Sequence, residues 1–399
     1  MAIEFSTSER STIGLEWELQ LVDPVTRDLS QCAGEVFEQL RQRGSQTGLI
    51  HPELLQNMVE LVSRKRTSVA ECAADIVESM EILDPIVSDL GVELTSAGSH
   101  PFAQPSEQLV SETERYEELV ERTQYWGRQM LIFGTHVHVG IDDRDKVIPI
   151  MNFLMAKFGH IQSFTAASPF WTGIDTGYAD NRAMMFQQLP VAGMPYDIST
   201  WAELERITDE LKTIGAIGNF DEVRWDIRPS PRFGTIELRA CDASSNLTEV
   251  RAAAALVHCL IEAASRELDA GRELPTLPLA FREINKWRSS RYGMEATLVE
   301  NTAGEQAPVA QSLPELVAWL EPVAADLRCL DDLAAVVDIA RDGVGYVRQR
   351  EVARRTGSLD AVVEHMLSET RAGRPIDPAR ASAFEVGLQG HPPVSGNEP

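Results

Sequence analysis

T-I-G-L-E-W-E-L-Q-L-V, residues Thr12 to Val22, alternates with a period of two: Leu15, Trp17, Leu19 and Leu21 fall on one face, Glu16, Glu18 and Gln20 on the other. That periodicity predicts a half-buried strand with two carboxylates side by side on its polar face. A strand face turned to water more commonly carries Thr, Lys or Ser, because adjacent like charges repel. Two glutamates at i and i+2 are stable where water surrounds them, or where a cation sits between them and something else. The rest of the chain decides between these readings.

The same design recurs downstream. In Leu131 to Ile141, L-I-F-G-T-H-V-H-V-G-I, residues Phe133, Thr135, Val137, Val139 and Ile141 oppose His136, His138 and Gly140. In V-R-W-D-I-R, Arg224, Asp226 and Arg228 alternate with Val223, Trp225 and Ile227. In G-T-I-E-L-R-A-C-D, Glu237, Arg239 and Cys241 alternate with Ile236, Leu238 and Ala240, and P-S-P-R-F-G between these two runs reads as a hairpin connection. Glu53 and Glu60 bound a segment that reads equally as two helical turns or as a strand toward Val62. A capping box at Ser68 to Glu71 opens a helix to about Leu90, bent near Pro85. Further boxes at Ser111 to Glu114 and at Ser312 open a helix ending near Met130 and a late one. Helices are also predicted over about Lys146 to Ala167 and Thr248 to Leu268.

The expected fold class is therefore α+β: a sheet whose apolar face packs on helices and whose polar face is concave. With no internal repeat or clear linker, residues 1–385 read as one catalytic domain, and the Pro- and Gly-rich residues 386–399 as a mobile tail. A chain of 399 residues with 43% hydrophobic and 24% charged residues is ordinary for a globular protein. The net charge of -25 argues against nucleic acid or an anionic membrane surface as partner, and requires cations or clustered arginines for any phosphate-bearing substrate. No apolar run reaches the roughly 18 residues of a membrane span, and the polar first residues do not read as a signal peptide. Five scattered cysteines without C-x-x-C pairs read as free thiols, which places the protein in the cytoplasm.

The inventory of the polar faces points to chemistry. Glu16, Glu18 and Glu237, with Glu60 or Glu53, supply oxygen ligands suited to Mg²⁺ or Mn²⁺ rather than zinc. Arg182, Arg228 and Arg239 supply cationic forks for phosphate or carboxylate groups. Carboxylate-held cations beside arginines are what phosphoryl transfer from ATP requires. Each group also has a plain structural reading. Glu237 and Arg239 form a same-face ion pair, His136 and His138 bond neighbouring strands, and His160 and His258 are core or groove residues. Arg224 is a solvated strand residue, and Asp175 and Asp180 form turns. The loop Trp171 to Arg182, W-T-G-I-D-T-G-Y-A-D-N-R, has the composition of a polar binding loop, but no phosphate-loop pattern is present.

In order along the chain, G-L-E-W-E-L-Q-L-V-D-P, the Glu53–Glu60 segment, H-V-H-V-G-I, N-R-A-M-M-F-Q-Q-L-P, R-W-D-I-R-P-S-P, I-E-L-R-A-C-D and N-K-W-R-S-S-R-Y-G resemble the type 2 glutamate–cysteine ligase (carboxylate–amine ligase) family, from Gly14 to Gly293. The resemblance implies a fold similar to the glutamine synthetase catalytic domain, an antiparallel β-sheet curved around the active site with helices packed outside, and an ATP-dependent reaction. A carboxylate, usually of L-glutamate, becomes an acyl phosphate that an amine such as L-cysteine attacks. It implies metal binding by Glu16, Glu18, Glu60, Glu237 and Glu53, and a catalytic set of Arg239, Glu18 and Glu237. Substrates would be held by Arg182, His136 and Arg228, and Arg288 and Arg291 either reach phosphates or pair structurally. It also suggests a homodimer. Family members often carry H-x-N where this chain has His136-Val-His138, which leaves the amine and the role of His138 open. Two rival readings are a zinc-dependent amidohydrolase built on His136 and His138, and a catalytically silent nucleotide or amino-acid binder.

Overall fold

The computed structural model describes residues 3–45, 47–380, 391–392 and 394–395. Its centre is a seven-stranded antiparallel sheet built from β1 (Ile13–Val22), β2 (Ile50–Pro52), β3 (Met58–Val62), β4 (Glu93–Thr95), β5 (Gly134–Gly140), β6 (Ile227–Ser230) and β7 (Thr235–Asp242). The order is β6-β7-β5-β1-β3-β2, with β4 pairing the end of β1. The expected α+β architecture is the one observed, and the Glu53–Val62 segment resolves as strand at its end.

Leu15, Trp17, Leu19 and Leu21 are at most 1% exposed, and with Leu61, Val137, Val139, Ile236 and Leu238 they form the apolar face. Three long helices cover it: α2 (Val69–Leu90), α4 (Val147–Thr165) and α7 (Leu247–Asp269). Four consecutive alanines, Ala252 to Ala255, are buried in α7, so the backbone packs closely on both sides. The remaining helices used below are α1 (Ala33–Gln42), α3 (Glu114–Thr123), α5 (Arg182–Phe186), α6 (Trp201–Thr213), α8 (Leu279–Tyr292), α9 (Val309–Asp326), α10 (Leu330–Asp342), α11 (Gly345–Thr356) and α12 (Leu359–Ala372).

Local signals held at α2, where Ser68 accepts from Glu71 N and the Glu71 carboxylate returns to Thr67 and Ser68. They failed at three places. Thr113, not Ser111, precedes α3, because Ser111 Oγ is spent on the Glu53 carbonyl, and the helix stops at Gln124 (φ 49°) rather than near Met130. Ser312 lies inside α9, where it bonds Pro308 O and His160. In β7 the register slips between Leu238 and Cys241, a bulge that turns Cys241 to the apolar face and gives its expected place on the polar face to Asp242.

Most of the tail expected to be mobile lies outside the described residues. Of those described, His391 stacks on Phe102 at 4.1 Å, and Val394–Ser395 runs parallel to Ile174–Asp175. No helix among the described residues is long and apolar enough to cross a membrane.

Candidate active site

Sheet register assembles the polar face. Glu18 stands directly opposite Glu60, Glu16 opposite His136, and Glu237 between His138 and Arg228. Directly opposed like charges destabilise a sheet; in the Glu18–Glu60 pair Glu18 is 8% exposed and Glu60 half-buried, and Glu237 on the same face is 1% exposed. A simply solvated face is thereby excluded.

The electrostatics follow from that placement. Burial, reinforced by Glu53, pushes the Glu18 carboxyl up to about 8. Burial, then Glu16, Glu53 and Glu18, hold Glu60 well above the ordinary carboxylate range. Burial also opposes the charge of Glu16, yet His136 Nδ1 at 2.7 Å and His138 Nε2 at 3.1 Å outweigh it and keep this carboxyl well below its usual value. Burial and then Arg239 lower His136 to about 4, so its Nδ1–H donates to Glu16 while Nε2 faces Arg182 Nη2 at 3.4 Å. Glu237 stays ionised despite burial because Arg239 and Arg228 grip its two oxygens, Arg228 Nε at 2.7 Å.

Three overlapping groups, Glu18–Glu53–Glu60, Glu16–Glu60–His136 and Glu16–His138–Glu237, each place ligand atoms within 4.8 Å of one another. The first is all oxygen, the donor set of a hard cation such as Mg²⁺ or Mn²⁺. The raised Glu18 and Glu60 carboxyls fit such an ion: packed together their charged forms are disfavoured, and a divalent ion between them would offset that cost.

On either side of this carboxylate row lies a cavity. The inner one, about 110 Å³, is lined by Glu18, Glu53, His136, Arg182 and Arg239 under an apolar wall that includes Met130, Ile132 and Phe186. Arg182, the first residue of α5, is 4% exposed, and its guanidinium lies over Gly134 with Nη1 donating to the Arg239 carbonyl at 2.9 Å. Among the described residues, the buried Nε atoms of Arg182 and Arg239 have no hydrogen-bond partner. Both arginines are thus arranged for an anion in the cavity. The outer cavity, about 430 Å³, is bordered by Glu16, Glu60, His138, Lys65 and Phe233.

The structure thus brings Glu16, Glu18, Glu53, Glu60, Glu237, His136, Arg182 and Arg239 together. Arg228 lines neither cavity; its guanidinium is spent on Glu237 and on the Asp221 and Val223 carbonyls. Arg288 bonds Thr297 O and Gln306, and Arg291 bonds Gly177 O, so both pair structurally. The loop before Arg182 uses its acceptors internally, Asp175 on Arg350 and Asp180 on Gln162 and Ala183 N, and its role is to deliver Arg182. Of the two places open to His160 and His258, core or groove, both occupy the core.

Tyr116, Arg224, Lys65 and Phe233 also border the cavities, although the strand periodicity and motifs single out none of them as a site residue. The basic run Arg64-Lys65-Arg66 directly after the Glu60 strand, in a strongly acidic chain, was the available signal for Lys65. Tyr116 and Phe233 carry no periodic signal.

Residues 12–365 match glutamate–cysteine ligase family 2. A protein of Mycolicibacterium paratuberculosis, provisionally named glutamate–cysteine ligase 2, is 48% identical over 368 residues, 92% of this chain and 97% of its own. A protein of the same name in Mycobacterium tuberculosis is also 48% identical. Among solved structures, a glutamate–cysteine ligase of Francisella tularensis in complex with AMP superposes with a TM-score of 0.65 at 13% identity, covering 96% of this chain and 91% of that one. A bifunctional glutathione synthetase of Pasteurella multocida gives a TM-score of 0.61 at 12% identity over 90% of this chain and 52% of that one. At such identities the likeness is one of fold.

Proposed function

Because the chain belongs to glutamate–cysteine ligase family 2, whose members join a carboxylate to an amine, we propose that it is an ATP-dependent ligase making a γ-glutamyl-type amide through an acyl phosphate. The observation that carries this reading is the row of overlapping ligand groups set between a cavity with two arginines turned to an anion and a wider cavity edged by Lys65 and Phe233. The AMP held by the Francisella tularensis enzyme supports a nucleotide.

In this reading the carboxylate substrate lies in the inner cavity, its anionic group on Arg182, which His136 Nε2 helps to position, and ATP enters from the outer one. Glu16, Glu18, Glu53, Glu60 and Glu237 would hold Mg²⁺ or Mn²⁺, which would supply charge neutralisation for the phosphates. A carboxylate oxygen attacks the γ-phosphorus, the bond to the β-phosphate oxygen breaks, and ADP departs with that electron pair. Arg239, fixed by Glu237, faces the charge on the transferring phosphoryl group. Arg228 acts from behind by holding Glu237. The amine nitrogen then attacks the acyl carbon, the carbon–oxygen bond breaks, and phosphate leaves carrying the amine proton. An acyl phosphate needs shielding from water, and the apolar side of the inner cavity, Met130, Ile132 and Phe186, serves that need. One ligase domain to about residue 385, a cytoplasmic location and a homodimer complete the proposal.

The test is ADP release with Mg²⁺, ATP and L-glutamate across amines including L-cysteine, for wild type and Glu16→Gln. Release that depends on one amine and is lost in the variant supports the ligase and names its partner. No ATP consumption with any combination, together with zinc retained on purification, would replace the proposal by a zinc site at His136 and His138.

A further inference from the structure

Glu53 differs from the other candidate ligands in what holds it. Glu16, Glu18, Glu60 and Glu237 stand on paired strands, whereas Glu53 lies in the connection between β2 and β3. That connection is zipped to the segment entering α3. Gln56 N donates to Leu109 O and Ser111 N to Leu54 O, each at 2.8 Å, and Leu55 bridges Val110. Ser111 Oγ donates to the Glu53 carbonyl itself.

Past the zipper, α3 sends a side chain back. The Tyr116 hydroxyl donates to Glu53 Oε2 at 3.0 Å, the same oxygen that accepts Leu54 N at 2.7 Å. The helix is otherwise lightly attached. Its side chains are mostly exposed, Val120 being the buried exception among those described, and Arg122 anchors its end on the Gly215 and Ala216 carbonyls. It breaks at Gln124, whose φ of 49° lies in the left-handed region. Tyr116 and Leu119 meanwhile form one side of the inner cavity.

We infer that Tyr116 is a positioning residue for Glu53: its hydroxyl fixes the carboxylate that completes the Glu18–Glu53–Glu60 cation group, so that cation binding and the seating of α3 over the inner cavity are one coupled event. The inference rests on the cation reading of the proposed function. A divalent ion drawn between Glu18, Glu53 and Glu60 gains from every constraint that holds Glu53 in place. Reciprocity then requires the ion to hold α3, and a loosened α3 to weaken the ion. Groups that orient a ligand from behind change metal affinity or activity by about 10–100-fold when removed.

The experiment titrates Mn²⁺ into the full-length protein without nucleotide, reading free Mn²⁺ by electron paramagnetic resonance, for wild type, Tyr116→Phe and Glu53→Gln. Limited trypsin cleavage at Arg122 and Arg128 is followed in parallel. Tyr116→Phe removes a single hydroxyl, so thermal unfolding without Mn²⁺ should be unchanged. Its Mn²⁺ affinity should fall about 10-fold, Glu53→Gln should lose at least as much, and the double variant no more than Glu53→Gln. Mn²⁺ should slow cleavage in wild type and do so less in Tyr116→Phe. Equal affinities in wild type and Tyr116→Phe would overturn the inference, as would a loss in Tyr116→Phe without one in Glu53→Gln. A wild type that binds no Mn²⁺ overturns the cation reading itself, a separate result.

Discussion

Replacing Gly134 by alanine tests the inner cavity with a single methyl group. Gly134 opens β5 where the strand passes beneath Arg182, and a Cβ there would stand 2.2 Å from Nη2, 2.7 Å from Cζ and 3.0 Å from Nε. Ordinary contact needs roughly 3.5 Å, so the guanidinium must retreat by more than about 1 Å. The obstacle is the end of a long side chain, and Gly134 N keeps its bond to Glu18 Oε2, so the fold should tolerate the change. Arg182, however, loses its seat on the Arg239 carbonyl and beside His136 Nε2. A misplacement of about 1 Å in a positioning group costs up to about 100-fold in rate, equivalent to about 2.7 kcal/mol. With ADP release as the assay, Gly134→Ala should raise the KM for the carboxylate or lower kcat/KM for it by about that factor, with Tm unchanged. Unchanged kinetics toward the carboxylate at unchanged Tm would refute the placement of Arg182 on the substrate.

Other consequences lie across the structure. Glu18→Gln removes the buried member of a directly opposed carboxylate pair, so the cation-free protein should be at least as stable as wild type. At 100 Kd of Mn²⁺ it should lack the ~2.7 kcal/mol that binding adds to wild type; a full Mn²⁺ shift of Tm in the variant would exclude Glu18 as a ligand. His100 accepts from Ala103 N at Nδ1 and faces the Arg27 carbonyl at Nε2, while His391 and Asp360 act on it in opposite senses. Burial, the leading cause, lowers it from 6.5 to about 3. The unfolded chain therefore takes the proton first, and stability complete above pH 6.5 is lost as pH falls toward 3. Between pH 7 and 5 this amounts to about 2 kcal/mol, visible in urea unfolding and absent in His100→Gln; an identical pH slope in the variant would count against it. Arg348, 3% exposed, bonds both Glu249 and Glu369 at 2.6–2.9 Å. Arg348→Met should cost about 3–5 kcal/mol by stranding two buried carboxylates, part of which Glu249→Gln with Glu369→Gln restores. A variant as stable as wild type would show the triad to be energetically idle.

The parts of this molecule legible in sequence were those written in a single period. Leu15 to Leu21 and Val137 to Val139 announced their buried face, and the glutamates and histidines between them announced the other, because strand geometry leaves no choice of side. What the chain did not reveal were consequences of pairing. The bulge that turns Cys241 inward depends on how β7 meets β5, and no alternation within β7 alone reports it. Ser111 has the spacing of a cap, yet a tertiary acceptor, the Glu53 carbonyl, competes for its hydroxyl. Arg228 belonged to the right face and the right charge class, but Glu237 opposite it takes its guanidinium out of both cavities. Tyr116 sits on a mostly polar helix and gained a role only because the segment before that helix zips to the loop of Glu53.

The central claim, that a carboxylate is activated by phosphorylation between the two cavities, is tested most directly with L-glutamate carrying ¹⁸O in its γ-carboxyl. Incubated with ATP, Mg²⁺ and the accepted amine, the enzyme should place one ¹⁸O in the inorganic phosphate for each amide formed, because the oxygen that attacks phosphorus leaves with it. Amide product accompanied by phosphate free of label would contradict the account.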